Sequence, residues 1–306
     1  MAAIVALAIL VTLPRFGHTT PDSEYYVALA RYFQGEAARA DLHTPFAFRW
    51  ALPWLASWIP GVAPATAIAL CSMLATAAAA LCFARLLAGL VQDPAQWRVG
   101  MAVLVVSFPT FNYGAAVLTD SAGFLVLAGG AVSLLERRYL ALALLAGGGV
   151  WVRESTLLLL PVLWCFVLLE RDRRGILAAA GITLLTLAAA AGARWWFSDL
   201  PAYFWSPSWS RFAANMNRPV SWATLSLTLL PAGALALAGL RNWKIIPRRT
   251  RHFILAAALP GLALLGYSTA AAFMSGRFGW PLYLALAPLA AAAFTCRQPP
   301  AAGSGE

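Results

Sequence analysis

Long apolar runs alternate with short polar breaks along almost the whole chain, and no stretch follows the two-residue rhythm of a half-buried strand. Helices are therefore predicted for every regular element, because open sheets leave backbone groups unpaired in hydrocarbon. At about 20 residues per crossing, spans are predicted near 2–13, 63–90, 99–118, 121–135, 139–152, 155–169, 175–195, 221–240, 253–273 and 278–296. The predicted architecture is all-α, a polytopic transmembrane bundle of about ten spans. Residues 1–298 form one membrane domain. A first external loop covers 14–62 with amphipathic interfacial helices, a second covers 196–220, and 299–306 is a disordered cytoplasmic tail. The first run, 2–13, is short for a span. It reads as an uncleaved helix whose start lies upstream of Met1, with a signal peptide as the alternative.

Composition agrees. Mean hydropathy is +0.72, and 61% of residues are hydrophobic against 11% charged, too few polar side chains for a water-soluble surface. The net charge of +10 does not point to nucleic acid, because the cations sit in short clusters between apolar runs. With both ends placed in the cytoplasm, Arg85, Arg98, Arg137, Arg138, Arg171, Arg173, Arg174, Arg241, Lys244, Arg248, Arg249, Arg251 and Arg297 fall inside, the bias expected of cytoplasmic loops. Lys244 is the only lysine among 22 basic residues, a codon bias that suggests a bacterial plasma membrane. Cys71, Cys82, Cys165 and Cys296 lack metal or redox spacing and read as small apolar residues.

Most tryptophans fall at the external interface in this topology. Trp50, Trp54 and Trp58 recur every four residues and share a helical face. The segment reads equally as a helix lying along the outer leaflet or as an ordinary aromatic belt.

The charges predicted on the external side carry the chemistry. Asp22-Ser23-Glu24 follows Thr20 and Pro21, so a helix cap explains it. Gly35 is placed to end that helix. The alternative is that Asp22 is an ionised carboxylate able to act as a base. Asp120 follows Thr119 after the polar break FNYGAAVLTD and needs a partner in space. Arg153-Glu154 tips a hairpin of short runs, deep enough that an ionised side chain costs about 2.5–3.5 kcal/mol unless it faces a polar cavity or snorkels. Adjacent Arg and Glu are predicted to point to different partners. Arg277, in SGRFGWP, suits bidentate phosphate binding; an ordinary outer turn looks the same. His18 and His43 share a segment with Asp22 and Asp41, but their spacing matches no standard metal pattern.

In order, these features resemble the GT-C superfamily of integral membrane glycosyltransferases. They are a short first span, a loop with Asp-x-Glu and a Tyr-Tyr pair, then Arg49-x-x-x-Pro53-x-Leu55. Thr119-Asp120, Arg153-Glu154 and a late Arg277 before Pro281 follow. The resemblance is one of layout and implies a mannosyltransferase-like enzyme. Its partners would be a polyprenyl-phosphate sugar donor, a glycan or lipid acceptor and membrane lipids, with no nucleic acid. Asp22, with Glu24 and Asp120, would be catalytic; Arg153, Arg277 and Arg49 would bind the donor phosphate; Glu154, Tyr25 and Tyr26 would complete the site. No cofactor follows with certainty, a divalent cation being the one candidate. The aromatic loop before Arg211 would serve acceptor or lipid binding. Two other classes fit the composition: a transporter or flippase for a lipid-linked or small anionic solute, and a non-catalytic membrane assembly subunit.

Overall fold

The computed structural model describes residues 1–201 and 206–294. Among them all regular structure is helical. The chain begins with α1 (Ala2–Thr12), α2 (Ser23–Phe33) and the short α3 (Ala51–Ser57). Next come α4 (Pro64–Leu90), α5 (Pro94–Val105), α6 (Phe108–Tyr113), α7 (Asp120–Leu135), α8 (Tyr139–Val152) and α9 (Leu159–Glu170). The last part holds α10 (Arg173–Trp196), α11 (Trp209–Met216), α12 (Pro219–Leu240), α13 (Arg248–Ala271) and α14 (Tyr283–Ala292). The tail, Cys296, Arg297 and Trp205 lie outside the described residues.

Local signals set many boundaries. Asp93, Ser107, Asp172 and Ser208 each accept a hydrogen bond from the first turn of the helix they precede. Proline opens α4, α5 and α12, where its missing N–H costs nothing. After α2, Gly35 takes φ +78°. Its N–H bonds the Tyr32 carbonyl while Glu36 N–H reaches that of Arg31, the paired closure that a left-handed residue permits.

The described helices do not support ten spans. Four helices among the described residues are long and apolar enough to cross a membrane: α4, α10, α12 and α13, with mean hydropathies of 2.1, 2.0, 1.7 and 1.7. Hydropathy counts apolar residues without asking whether one helix joins them. The 99–118 run is cut after Val105, where Ser107 caps the new helix α6 by accepting from Thr110 N–H. The run from 278 opens as a 3-10 segment, Gly276–Leu282, before α14 begins. Helices α7, α8 and α9 have 16, 14 and 12 residues, short of a full crossing at about 1.5 Å per residue.

Helix α4 is the hub, packed by α7, α1, α5, α3 and α2. Small residues let helices meet closely: a methyl group added at Gly239 of α12 would lie 1.8 Å from the Leu289 carbonyl oxygen of α14. The periphery is different. Leu177, Leu184 and Leu187 of α10 are 76%, 71% and 53% exposed, a surface suited to hydrocarbon rather than water.

Helix polarity sorts charges to two ends. At one, Arg85 and Arg138 pair with Glu136, Glu170 with His252, and Tyr139 with Asp172. At the other, the starts of α2 and α7 meet the end of α8 and the 276–282 segment, and they carry the site.

Candidate functional site

Asp22 is the N-cap residue of α2, yet its side chain makes no capping bond. The Ser23 hydroxyl closes that turn by accepting from Thr20 N–H at 2.9 Å. Asp22 Oδ2 instead accepts from Arg277 Nη1 at 2.7 Å, across 255 residues of sequence. The triplet does start a helix, at Ser23 rather than at Pro21 behind a Thr20 cap, but the Asp22 carboxylate is committed to an arginine and not to its helix.

Two further pairs adjoin it. Arg153 Nη1 lies 2.6 Å from Asp120 Oδ2, in ionic contact without hydrogen-bond alignment. Arg49 Nε donates to Glu154 Oε2 at 2.6 Å, and its Nη1 donates to the Tyr26 hydroxyl at 2.7 Å. The Thr119 hydroxyl reaches the same phenol at 3.5 Å. The groups act on one another as a single cluster: Asp22 feels Arg277, Arg49 and Arg153, and Arg277 feels Asp120 as well as Asp22. Three guanidiniums and three carboxylates thus cancel in charge, which lets them be buried together.

The local backbone explains how the pairs form. Helix α8 stops at Arg153, which takes extended geometry, φ −168° and ψ 137°. Extended residues send successive side chains opposite ways, so Arg153 reaches Asp120 while Glu154 reaches Arg49. The expected divergence of these neighbours is observed. Close approach of α7 is needed, since a methyl at Gly123 would sit 3.1 Å from the Arg153 side chain. Beneath the cluster, Phe124 stacks on Trp280 with ring centroids 5.0 Å apart.

Exposure grades across the cluster and separates roles. The Asp120 and Arg153 side chains are 4% and 8% exposed, a sealed anchor. Asp22 and Glu154 reach 17% and 29%, so these are the acids a ligand can meet. Arg277 Nε and Trp280 Nε1 are buried donors without a protein acceptor among the described residues. Leaving such atoms unpaired is costly.

Other expected positions fall apart from the cluster. Glu24 is exposed, because two residues along a helix turn it away from Asp22. Tyr25 is turned from the ion pairs: it stacks on Phe46 at 4.3 Å and meets the edge of His43. Trp54 of the seven-residue α3 and Trp58, the residue just after it, are 41% and 70% exposed. The histidine–aspartate group does not gather. His18 meets Arg15 at 2.9 Å, and Asp41 accepts from Ala38 N–H. No group of three or more His, Cys, Asp or Glu side chains assembles among the described residues, and both site aspartates already face arginine. The donor set does not fit a divalent cation.

Tyr26, expected at the site, links Arg49 to Thr119; sequence reasoning missed Tyr113, a buried phenol close enough to feel Arg277 and Asp120. The only signal for Tyr113 was its place in the polar break FNYG.

Burial alone would push the Asp22 carboxyl up, but Arg277, then Arg49 and Arg153, outweigh it and hold the group below its ordinary value. A carboxylate so depressed stabilises the fold above its unfolded-state value, near pH 4, and that contribution is lost as pH falls through the folded value. The thermal midpoint of the wild type should therefore be flat between pH 5 and 8 as far as Asp22 is concerned. It should exceed that of Asp22→Asn there, and the gap should close below about pH 4. Parallel melting curves that keep their gap in acid would contradict the pairing.

No family model, curated protein or solved structure matches the chain.

Proposed function

We propose that the protein is a GT-C-like glycosyltransferase. It moves a sugar from a polyprenyl-phosphate donor to a hydroxyl acceptor, with inversion, at the external face of a bacterial plasma membrane. The observation that carries the reading is the Asp22–Arg277 pair at 2.7 Å. It sets a partly exposed, ionised carboxylate beside a guanidinium whose Nε has no acceptor among the described residues. A base and an anion-binding donor at one point are what attack on a sugar phosphate requires.

The residues divide the work as follows. Asp22 takes the acceptor proton as the hydroxyl oxygen bonds to the anomeric carbon. The carbon–oxygen bond to phosphate breaks, and its electron pair leaves with the lipid phosphate. Arg277 stabilises that departing charge, with Trp280 Nε1 as a second donor. While paired with Arg277 the Asp22 carboxyl is a weak base. Phosphate, like carboxylate, can take a guanidinium bidentately, and drawing Arg277 toward it restores basicity to Asp22. Arg153 and Asp120 hold the floor, and Arg49 with Tyr26 and Glu154 fixes one wall. In this division Asp120 anchors the site and does not take the proton.

The test is to offer the purified protein, in detergent or nanodiscs, a panel of polyprenyl-phosphate sugars and to measure release of polyprenyl phosphate. Turnover of at least one donor is expected. Uptake of an anionic solute into proteoliposomes, with no release from any donor, would favour a transporter instead.

A further inference from the structure

A second cationic site stands apart from the ion-pair cluster. Arg211 of α11 and Arg218, the residue before α12, both lie over the ring of Phe273, with guanidinium carbons 4.5 and 5.0 Å from its centroid. Neither forms an ion pair among the described residues. Two positive charges are thus held within about a Debye length of one another, on one aromatic ring, with no ion-pair partner for either among the described residues.

The arrangement is built rather than incidental. Asn215, fully buried at 0% exposure, donates through Nδ2 to the carbonyls of Thr269 and Ala272 at 2.8 and 2.7 Å, and accepts from Met274 N–H at 3.1 Å. These bonds clamp both sides of Phe273 to α11. Ser208 N–H ties the start of α11 to Ala270 in the same way. The Ser208 hydroxyl then caps α11 by accepting from Arg211 N–H at 3.2 Å. The ring is therefore presented to both arginines by fixed backbone.

Exposed apolar side chains belong to the same two helices. Trp209 of α11 and Val220 and Trp222 of α12 are 82%, 62% and 44% exposed, and Phe273 itself is 54% exposed. Trp209 stacks on Phe212, while Trp222 Nε1 donates to the Met216 carbonyl, an amphipathic placement that suits a membrane interface. A soluble anion would use the arginines and ignore this surface. An anion attached to an acyl or prenyl chain would use both.

We propose that Arg211, Arg218 and Phe273 form a binding site for the phosphate headgroup of a membrane lipid. The two planar guanidiniums would grip the phosphate oxygens, with the lipid chain lying along Trp209, Val220 and Trp222. The site does not depend on sugar transfer, and Arg277 remains with Asp22.

The experiment uses the full chain in nanodiscs and native mass spectrometry to count retained lipids. The probes are phosphatidylglycerol, polyprenyl phosphate, zwitterionic phosphatidylcholine and inorganic phosphate. Retention of phosphatidylglycerol or polyprenyl phosphate should fall about thirty-fold in R211Q/R218Q, on the order of one unit charge's attraction lost twice. Phosphatidylcholine retention should not change. Phe273→Leu keeps the apolar volume and should weaken binding more modestly, which separates ring loss from misfolding. Equal retention by R211Q/R218Q and wild type would overturn the site. Displacement of the lipid by inorganic phosphate at equal concentration would overturn its assignment to a lipid.

Discussion

Arg153→Ala is expected to destabilise the protein by about 3–5 kcal/mol, the largest loss among single changes in the cluster. The substitution strands Asp120, whose side chain is 4% exposed, as a buried charge whose partner at 2.6 Å is gone. Solvent cannot take over at that burial, and Arg277, although close enough to be felt, already holds Asp22. The cost lies in the abandoned charge and not in the value of the pair, so removing both partners should hurt far less. Arg153→Met with Asp120→Leu should recover most of the loss, because apolar replacements of a buried pair are often neutral. Denaturant or thermal unfolding in one detergent would measure the four corners of this cycle. A double variant as unstable as the sum of the singles would mean the two side chains do not interact.

Arg277→Gln is expected to lower the turnover of sugar transfer by about 10²–10³, the usual loss when one donor to a developing oxyanion is removed. The acid limb of the rate profile should move toward higher pH, since losing Arg277 lets the Asp22 carboxyl rise. A donor with a better leaving group, such as a lipid diphosphate sugar, should narrow the gap between Arg277→Gln and wild type. A merely structural arginine would give a deficit that ignores the leaving group. Kinetics on both donors across pH would decide between them.

The sequence placed much of this site without joining it. Predicted membrane depth put Asp22, Asp120, Arg153 and Arg277 at one level, and the structure gathers them at one end of the bundle. Depth says nothing about pairing, so Arg49 with Glu154 and Asp22 with Arg277 were invisible across their long separations. The cap reading of Asp22 was reasonable locally. The Asp22 carboxylate accepts from a buried guanidinium at 2.7 Å and makes no bond to the first turn of α2. Glu24 shows the same point in reverse: it is adjacent in the motif but on the wrong face of α2. Helix type was legible throughout, whereas span count was not. Apolar content in 99–118 and from 278 onward hid the breaks made by Ser107 with Pro109 and by the 3-10 turn around Arg277. The aromatic loop before Arg211 was legible, but its meeting with Arg218 and Phe273 was not, because the three come together only through the Asn215 clamp.

The central claim is that Asp22 takes the proton while its cluster stays assembled. The direct measurement is polyprenyl phosphate release by purified wild type and Asp22→Asn, with melting temperatures recorded on the same samples at pH 7. A folded Asp22→Asn protein with release reduced by about 10²–10⁴ is the expected result. Release at the wild-type rate would contradict the role given to Asp22.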